Sequence, residues 1–181
     1  PAAGLPDEGG SAGRDQHRNH PRDGGQRLGG DRRRSGIRFH HGVKEVLDEV
    51  SKGTRRISIR SGHGVGKTAL LAWIVVWWMT TRFPQKTAAT AATSQQLFDA
   101  LVPETKMWLG RLPEAWNGVF TAQAESLFLT GAPDESFVTF KTSKAETPEA
   151  MAGVHSDNVL LIADEASGIP DEVFVAAQGS M

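Results

Sequence analysis

Two segments of the 181-residue chain combine residue types and spacing that can do chemistry: Ser61–Thr68, which reads SGHGVGKT, and Val159–Glu165, which reads VLLIADE. In the first, glycines at 62, 64 and 66 let the backbone wrap closely with its N–H groups pointing inward. A helix starting at Gly66 adds the positive end of its dipole. Such a cradle suits a triphosphate, with Lys67 reaching the β- and γ-phosphates and the Thr68 hydroxyl holding Mg²⁺. The usual pattern is G-x-x-x-x-G-K-[ST], and Ser61 stands at its first glycine. The alternative is a glycine-rich turn between strand and helix with Lys67 merely solvated. The strand, loop and helix expected around the motif favour the phosphate cradle, with ATP and Mg²⁺ as its cofactors.

The second segment is a run of five apolar residues followed by Asp164 and Glu165. It predicts a buried parallel strand whose C-terminal end delivers two acids. Open α/β sheets gather their ligands at that edge. Asp164 is then placed to meet the Mg²⁺ held by Thr68, and Glu165 to polarise an attacking water. A core strand followed by a surface loop looks the same when taken alone. The cradle 91 positions upstream, from Thr68 to Val159, turns the pair into an expectation of phosphoryl transfer to water.

The elements that must position these residues are readable from periodicity. Val43, Val46, Leu47 and Val50 fall on one helical face, with Gly53 as a stop. Arg56–Arg60 (RISIR) alternates as a strand, with Ile57 and Ile59 on one face. A helix follows from about Gly66 to Thr81, with Pro84 just beyond its end. Lys86–Thr93 is a small-residue strand, and Thr93 or Ser94 caps a helix bearing Leu97, Phe98, Leu101 and Trp108, kinked or restarted at Pro103. Ser126–Thr130 and Ser136–Lys141 form a hairpin around GAPDE. A short helix over Ala145–Ala152, a strand over Asn158–Ala163 and a helix over Pro170–Ala177 complete the reading. No internal repeat is visible.

Composition narrows the class. The chain is 39% apolar and 23% charged with net charge −1, so no global basic field advertises nucleic acid. It has no cysteine, which excludes disulfides and cysteine-ligated zinc and fits a reducing compartment. The longest apolar run, Ala69–Met79, has eleven residues, too few to span a bilayer. The first 36 residues hold no apolar run longer than two, so no signal peptide is expected. Residues 1–38 contain eight Arg, nine of the 20 Gly, six apolar residues, no aromatic residue and no lysine. Such a stretch cannot offset its ordering entropy, so residues 1–42 are expected to be a disordered Gly/Arg-rich tail and 43–181 the folded domain. A solvated tail, or a stretch foreign to the domain, is favoured over a DNA-binding arm.

The segments RRISIRSGHGVGKT, LLAWIVVWW, TRFP, ATSQQLFDAL, ESF, PEAMAGVHSDNVLLIADEASGIPDEVF and AAQGSM resemble the ATPase domain of bacteriophage terminase large subunits, motors that pump viral DNA into capsids. The resemblance covers about residues 43–181. It implies an α/β P-loop NTPase of the additional-strand, RecA- or helicase-like class. Ser61, Gly62, His63, Gly64, Val65, Gly66, Lys67 and Thr68 look like the Walker A motif. Val159–Glu165 looks like Walker B, with Glu165 as catalytic glutamate and Asp164 beside the metal. The family commonly uses an arginine to stabilise transferred charge; Arg60 is the nearest candidate and His63 a weaker one.

Three family features are missing. No glutamine follows Phe39, His40 and His41, where an adenine-reading residue is expected. The strand carrying the coupling motif, which inserts between the P-loop and Walker B strands, falls beyond Met181, as does the nuclease domain. The expectation is therefore a truncated ATPase domain, marginal alone and weakly active. By resemblance its partners are double-stranded DNA, a portal protein, a small terminase subunit and further copies of itself in a ring, in the host cytoplasm and without a membrane. The alternatives are another P-loop DNA motor such as a helicase, or an inactive prophage remnant.

Other residues weigh less. Trp73, Trp77 and Trp78 read as packing rather than DNA stacking. Thr93, Ser94 and Gln95 stand at the ligand edge, as a helix cap or as contacts to nucleotide or DNA. His155 has no second ligand at metal spacing. Glu149 and Gly153 match family positions without an assignable role.

Overall fold

Alanines and threonines dominate the strand on which the fold is built, because that strand is covered on both faces. A computed structural model describes residues 41–60, 62, 64–143 and 154–179. Its elements in chain order are α1 (His41–Ser51), α2 (Lys67–Thr81), β1 (Gln85–Ala91), a π-helical turn (Gln96–Leu101), α3 (Val102–Leu109), a 3₁₀ turn (Glu114–Trp116), β2 (Phe120–Ala122), β3 (Ser126–Leu129), β4 (Ser136–Phe140), β5 (Val159–Asp164), a second 3₁₀ turn (Ala166–Gly168) and α4 (Asp171–Gln178). The strands form one five-stranded sheet in the order β2-β3-β4-β1-β5. β1 runs parallel to both β4 and β5, and β3 runs antiparallel to β2 and β4. The fold is mixed α/β.

Six of the seven residues of β1 are buried, which suits a central parallel strand. Alternation sends Ala89 and Ala91 to one face and Ala88 to the other. The first face meets Leu70, Ile74, Val75 and Met79 of α2, with Leu97, Leu101 and Val102 of the following helix. The second face meets Val154, Ile169, and Val173 and Ala177 of α4. α2 has no polar face after its first turn, and it buries Leu70, Ala72, Ile74, Val75, Val76 and Met79. The three valines and one leucine expected on one face of α1 do pack against the first core.

Polar side chains inside the sheet pair with one another. Gln85, fully buried, donates from Nε2 to Ser136 Oγ at 3.1 Å and to Phe137 O at 3.2 Å, and accepts from Thr87 Oγ1 at 2.8 Å. Gln85 and Ser136 are register partners of β1 and β4, so a slip would strand both groups without partners.

Several expectations shift. α1 opens at His41, two residues before Val43. The rest of the expected tail, residues 1–40, lies outside the described residues, as do Ser61, His63 and the helix expected over Ala145–Ala152. The chain after β1 winds first as a π turn, closed by Val102 N–H to Leu97 O, and α3 restarts with Pro103 in its first turn. There the missing N–H of proline costs nothing. β2 was not expected: three residues are too few to show alternation.

Arg56–Arg60 is not a strand. Ile57 and Ile59 are 37% and 36% exposed, and all of residues 51–60 are exposed. Alternation specifies which side of a strand is apolar, but a strand also needs a neighbour to take its N–H and C=O groups. Among the described residues, none pairs with this segment, and none pairs with the edge of β5 away from β1.

Burial predicts a sharp contrast in stability. Leu97→Ala, at a fully buried site, should cost about 2–5 kcal/mol. Ile59→Thr should stay within about 0.5 kcal/mol of the parent. Urea unfolding of the two variants checks both.

Candidate functional site

The parallel register between β1 and β5 sets Ala91 beside Asp164, so both strands finish at the same edge of the sheet. A cavity of about 470 Å³ lies at that edge, lined by Gly64–Ala69, by Gln96, Ala100 and Glu104, and by Asp164 and Glu165. The loop before α2 and the acids at the end of β5, 96 positions apart from Thr68 to Asp164, thus face one space.

Gly64 and Gly66 take φ of +71° and +85°. A side chain at either would be strained in this left-handed region. Gly66 precedes α2 and offers it no side-chain cap. First-turn N–H groups of a helix have no partner within the helix, and Lys67, Thr68 and Ala69 border the cavity. Lys67 Nζ donates to Gly62 O at 3.2 Å, folding the lysine back over its own loop.

Asp164 is only 7% exposed. Burial pushes its carboxyl above the usual carboxylate range, and the charge of Glu165 adds to the push; the Glu165 N–H, donated to Asp164 Oδ1 at 3.0 Å, and the Lys67 ammonium oppose it. A buried carboxylate held at a cost beside a lysine has the donor chemistry of a divalent-cation ligand.

Glu165 is exposed and sits just off the strand, with φ 50° and ψ 50°. A non-glycine residue in this region costs about 1–3 kcal/mol. The left-handed turn, rather than strand alternation, is what separates the two acids. It leads into the turn Ala166–Gly168, and the Glu165 carboxylate accepts a hydrogen bond from Gln96 Nε2.

Of the residues singled out from sequence, Gly64, Val65, Gly66, Lys67, Thr68, Asp164 and Glu165 surround the cavity, while Gly62 lies outside the lining and accepts a hydrogen bond from Lys67. Arg60 is exposed and outside the lining. Ser61 and His63 lie outside the described residues. Ser94 and Gln95 are exposed and away from the cavity, and Thr93 caps a helix. His155 is exposed, and no group of three or more metal-ligating side chains exists among the described residues. Trp73 packs against the core, edge-on to Trp108 at 5.2 Å between centroids. Trp77 and Trp78 carry the Arg82 guanidinium at 4.2 and 4.0 Å.

Sequence reading missed Gln96 and Glu104. The signal for Gln96 was present: Thr93-x-x-Gln96 is a capping box, in which Thr93 N–H donates to Gln96 Oε1 and Gln96 N–H to Thr93 Oγ1, both at 3.2 Å. Glu104 had no such signal. It accepts from Trp108 Nε1 at 2.8 Å and shares the cavity side of the helix with Gln96 and Ala100 at intervals of four.

No family model matches the sequence. A protein of Enterobacteria phage P7 described as a probable terminase, large subunit, is 27% identical over 142 residues. The match takes in 76% of this chain and 28% of that protein, so the chain spans little more than a quarter of the relative's length. The resemblance to terminase large subunits, first read from short motifs, thus extends over three quarters of the chain.

Proposed function

We propose that this chain is the ATP-hydrolysing part of a phage DNA-packaging motor, a P-loop ATPase of the terminase large subunit type. The observation that carries the reading is the single cavity bordered by Gly64–Thr68 on one side and Asp164–Glu165 on the other. The similarity to a probable terminase large subunit supports the same reading. DNA and the other packaging components are partners by that resemblance.

In this reading the loop N–H groups and the start of α2 receive the triphosphate. Lys67 exchanges its contact with Gly62 O for the β- and γ-phosphates. Thr68 and Asp164 are the residues that would hold Mg²⁺, which when bound supplies positive charge to the phosphate oxygens. The buried, upward-shifted Asp164 carboxyl fits that role, since a cation would repay the cost of keeping it ionised. Glu165, exposed at the rim, orients the attacking water and takes its proton. Arg60 is retained as a source of charge stabilisation only if the segment 51–60 comes to the cavity.

Titration calorimetry with Mg²⁺-ATP tests the reading. Lys67→Ala should weaken binding at least about tenfold, roughly 1.4 kcal/mol. Glu165→Gln should keep binding and lower kcat by about 10²–10⁴-fold. Equal affinity of Lys67→Ala and the parent chain would sink the proposal.

Asp164→Asn makes a separate prediction. Because the folded chain raises the Asp164 pKa, it binds that proton more tightly than the unfolded chain does. The penalty is fully present above the folded pKa and fades as pH falls through it toward the unfolded value. Without nucleotide, Asp164→Asn should therefore melt above the parent near pH 7, with the gap closing toward about pH 4. Mg²⁺-ATP should raise the Tm of the parent and not of the variant.

A further inference from the structure

We propose that Gln96 is a positioning residue for Glu165: its side-chain amide fixes the direction of that carboxylate and ties it to the start of the helix that follows β1. The proposal rests on the hydrolytic reading above.

Both ends of the Gln96 amide are engaged. Oε1 accepts the Thr93 N–H at 3.2 Å, and Nε2 donates to Glu165 Oε2. The Thr93 N–H can only donate, and an ionised carboxylate can only accept. Turning the amide over would set two donors together at Thr93 and two acceptors together at Glu165. The orientation is thus determined by its partners. The Gln96 backbone is held as well, its N–H donating to Thr93 Oγ1.

A second observation reaches Glu165 from its other side. A Cβ built on Gly168 would lie 2.8 Å from the Ala92 Cβ, well inside contact distance. The turn after Glu165 therefore rests directly on the residue before Thr93. Gly168 N–H also donates to Glu165 O at 2.9 Å. The backbone of Glu165 is placed by the turn against Ala92, and its side chain by Gln96, four residues further along.

The need for such a hold follows from where Glu165 sits. It is exposed, off the strand, and otherwise free to sample several rotamers. A base that must orient one water loses rate in proportion to the time it spends elsewhere. The Gln96 amide removes that freedom. It also makes the direction of the base depend on the position of the first turn of the helix, whose next cavity-facing residues are Ala100 and Glu104.

Three variants of the full chain test this. Gln96→Glu keeps an oxygen for the Thr93 N–H, the usual partner at this position of a capping box, and removes the donor facing Glu165. It should lower kcat about 10- to 100-fold, and because it sets a second carboxylate against Glu165 it should also lower the Tm near pH 7. Gln96→Leu removes the donor without adding a charge and should lower kcat equally, with a lower Tm from the lost capping oxygen. The third measurement needs no nucleotide: the ¹⁵N side-chain amide signal of Gln96 should shift between the parent and Glu165→Ala, as its Nε2 loses an acceptor while Oε1 keeps the Thr93 N–H. Parental kcat in Gln96→Glu, or a Gln96 amide signal indifferent to Glu165→Ala, would overturn the proposal. A chain that binds Mg²⁺-ATP as well after Lys67→Ala would instead overturn the hydrolytic reading beneath it.

Discussion

Ala91 lies beside Asp164 in the parallel ladder of β1 and β5, and that register decides which side chains meet. A slip of one residue would carry Asp164 to the opposite face of the sheet. It would also bring the apolar residues of β5 before the wrong core. The register is held by burial: Ile162 belongs to the core under α2, while Val159, Leu161 and Ala163 pack toward the core under α4. Because the two strands are parallel, their ends coincide, and whatever follows each begins at the same edge. After β1 comes the capped helix with Gln96; after β5 come the strained Glu165 and its turn. The cavity is a consequence of parallel pairing before it is a consequence of any single acid.

Several energetic costs gather at the site. Asp164 is buried at the expense of its charge, Glu165 occupies a left-handed conformation, and Gly64 and Gly66 hold positive φ. Elsewhere Gln85 pairs with Ser136 and Thr90 with Ser143 at 2.6 Å, while the buried Trp78 Nε1 and Ser156 Oγ have no hydrogen-bond partner among the described residues. Costs gathered in one place fit the charged ligand proposed above, whose charge would offset them.

Much of this was legible in the sequence, for identifiable reasons. Helices α1, α2 and α4 show either one apolar face or an unbroken apolar run, and β5 shows a run ending in acids. Each is a local pattern, and each element lies close to its expected limits. RISIR is equally local in its alternation, yet Ile57 and Ile59 remain exposed, because a ladder needs a second strand that alternation cannot supply. Gln96 was hidden differently. Its capping role is written three residues apart in Thr93-x-x-Gln96, but its contact with Glu165 joins positions 69 apart. Glu104 reaches the cavity only because the π turn before α3 sets the phase of the helix, and a π turn leaves no mark in hydrophobic periodicity.

The two walls of the cavity are supported by unlike means, which bears on how the site can be perturbed. The acidic wall is fastened by backbone ladder, by the capping box and by the contact of Gly168 with Ala92. The loop wall has no ladder among the described residues: residues 54–60 pair with no strand, α2 carries the loop's C-terminal end, and Lys67 Nζ donates back to Gly62 O. The separation of Lys67 from Asp164 is therefore set by how α2 beds on the sheet, through Leu70, Ile74, Val75 and Met79 against Ala89 and Ala91. Interiors are close-packed, so a volume change there is transmitted rather than absorbed. Alanines on β1 let the helix approach closely, and a larger side chain at 89 or 91 would lift α2 and widen the cavity from beneath. Residues outside the cavity thus set the spacing of those that line it.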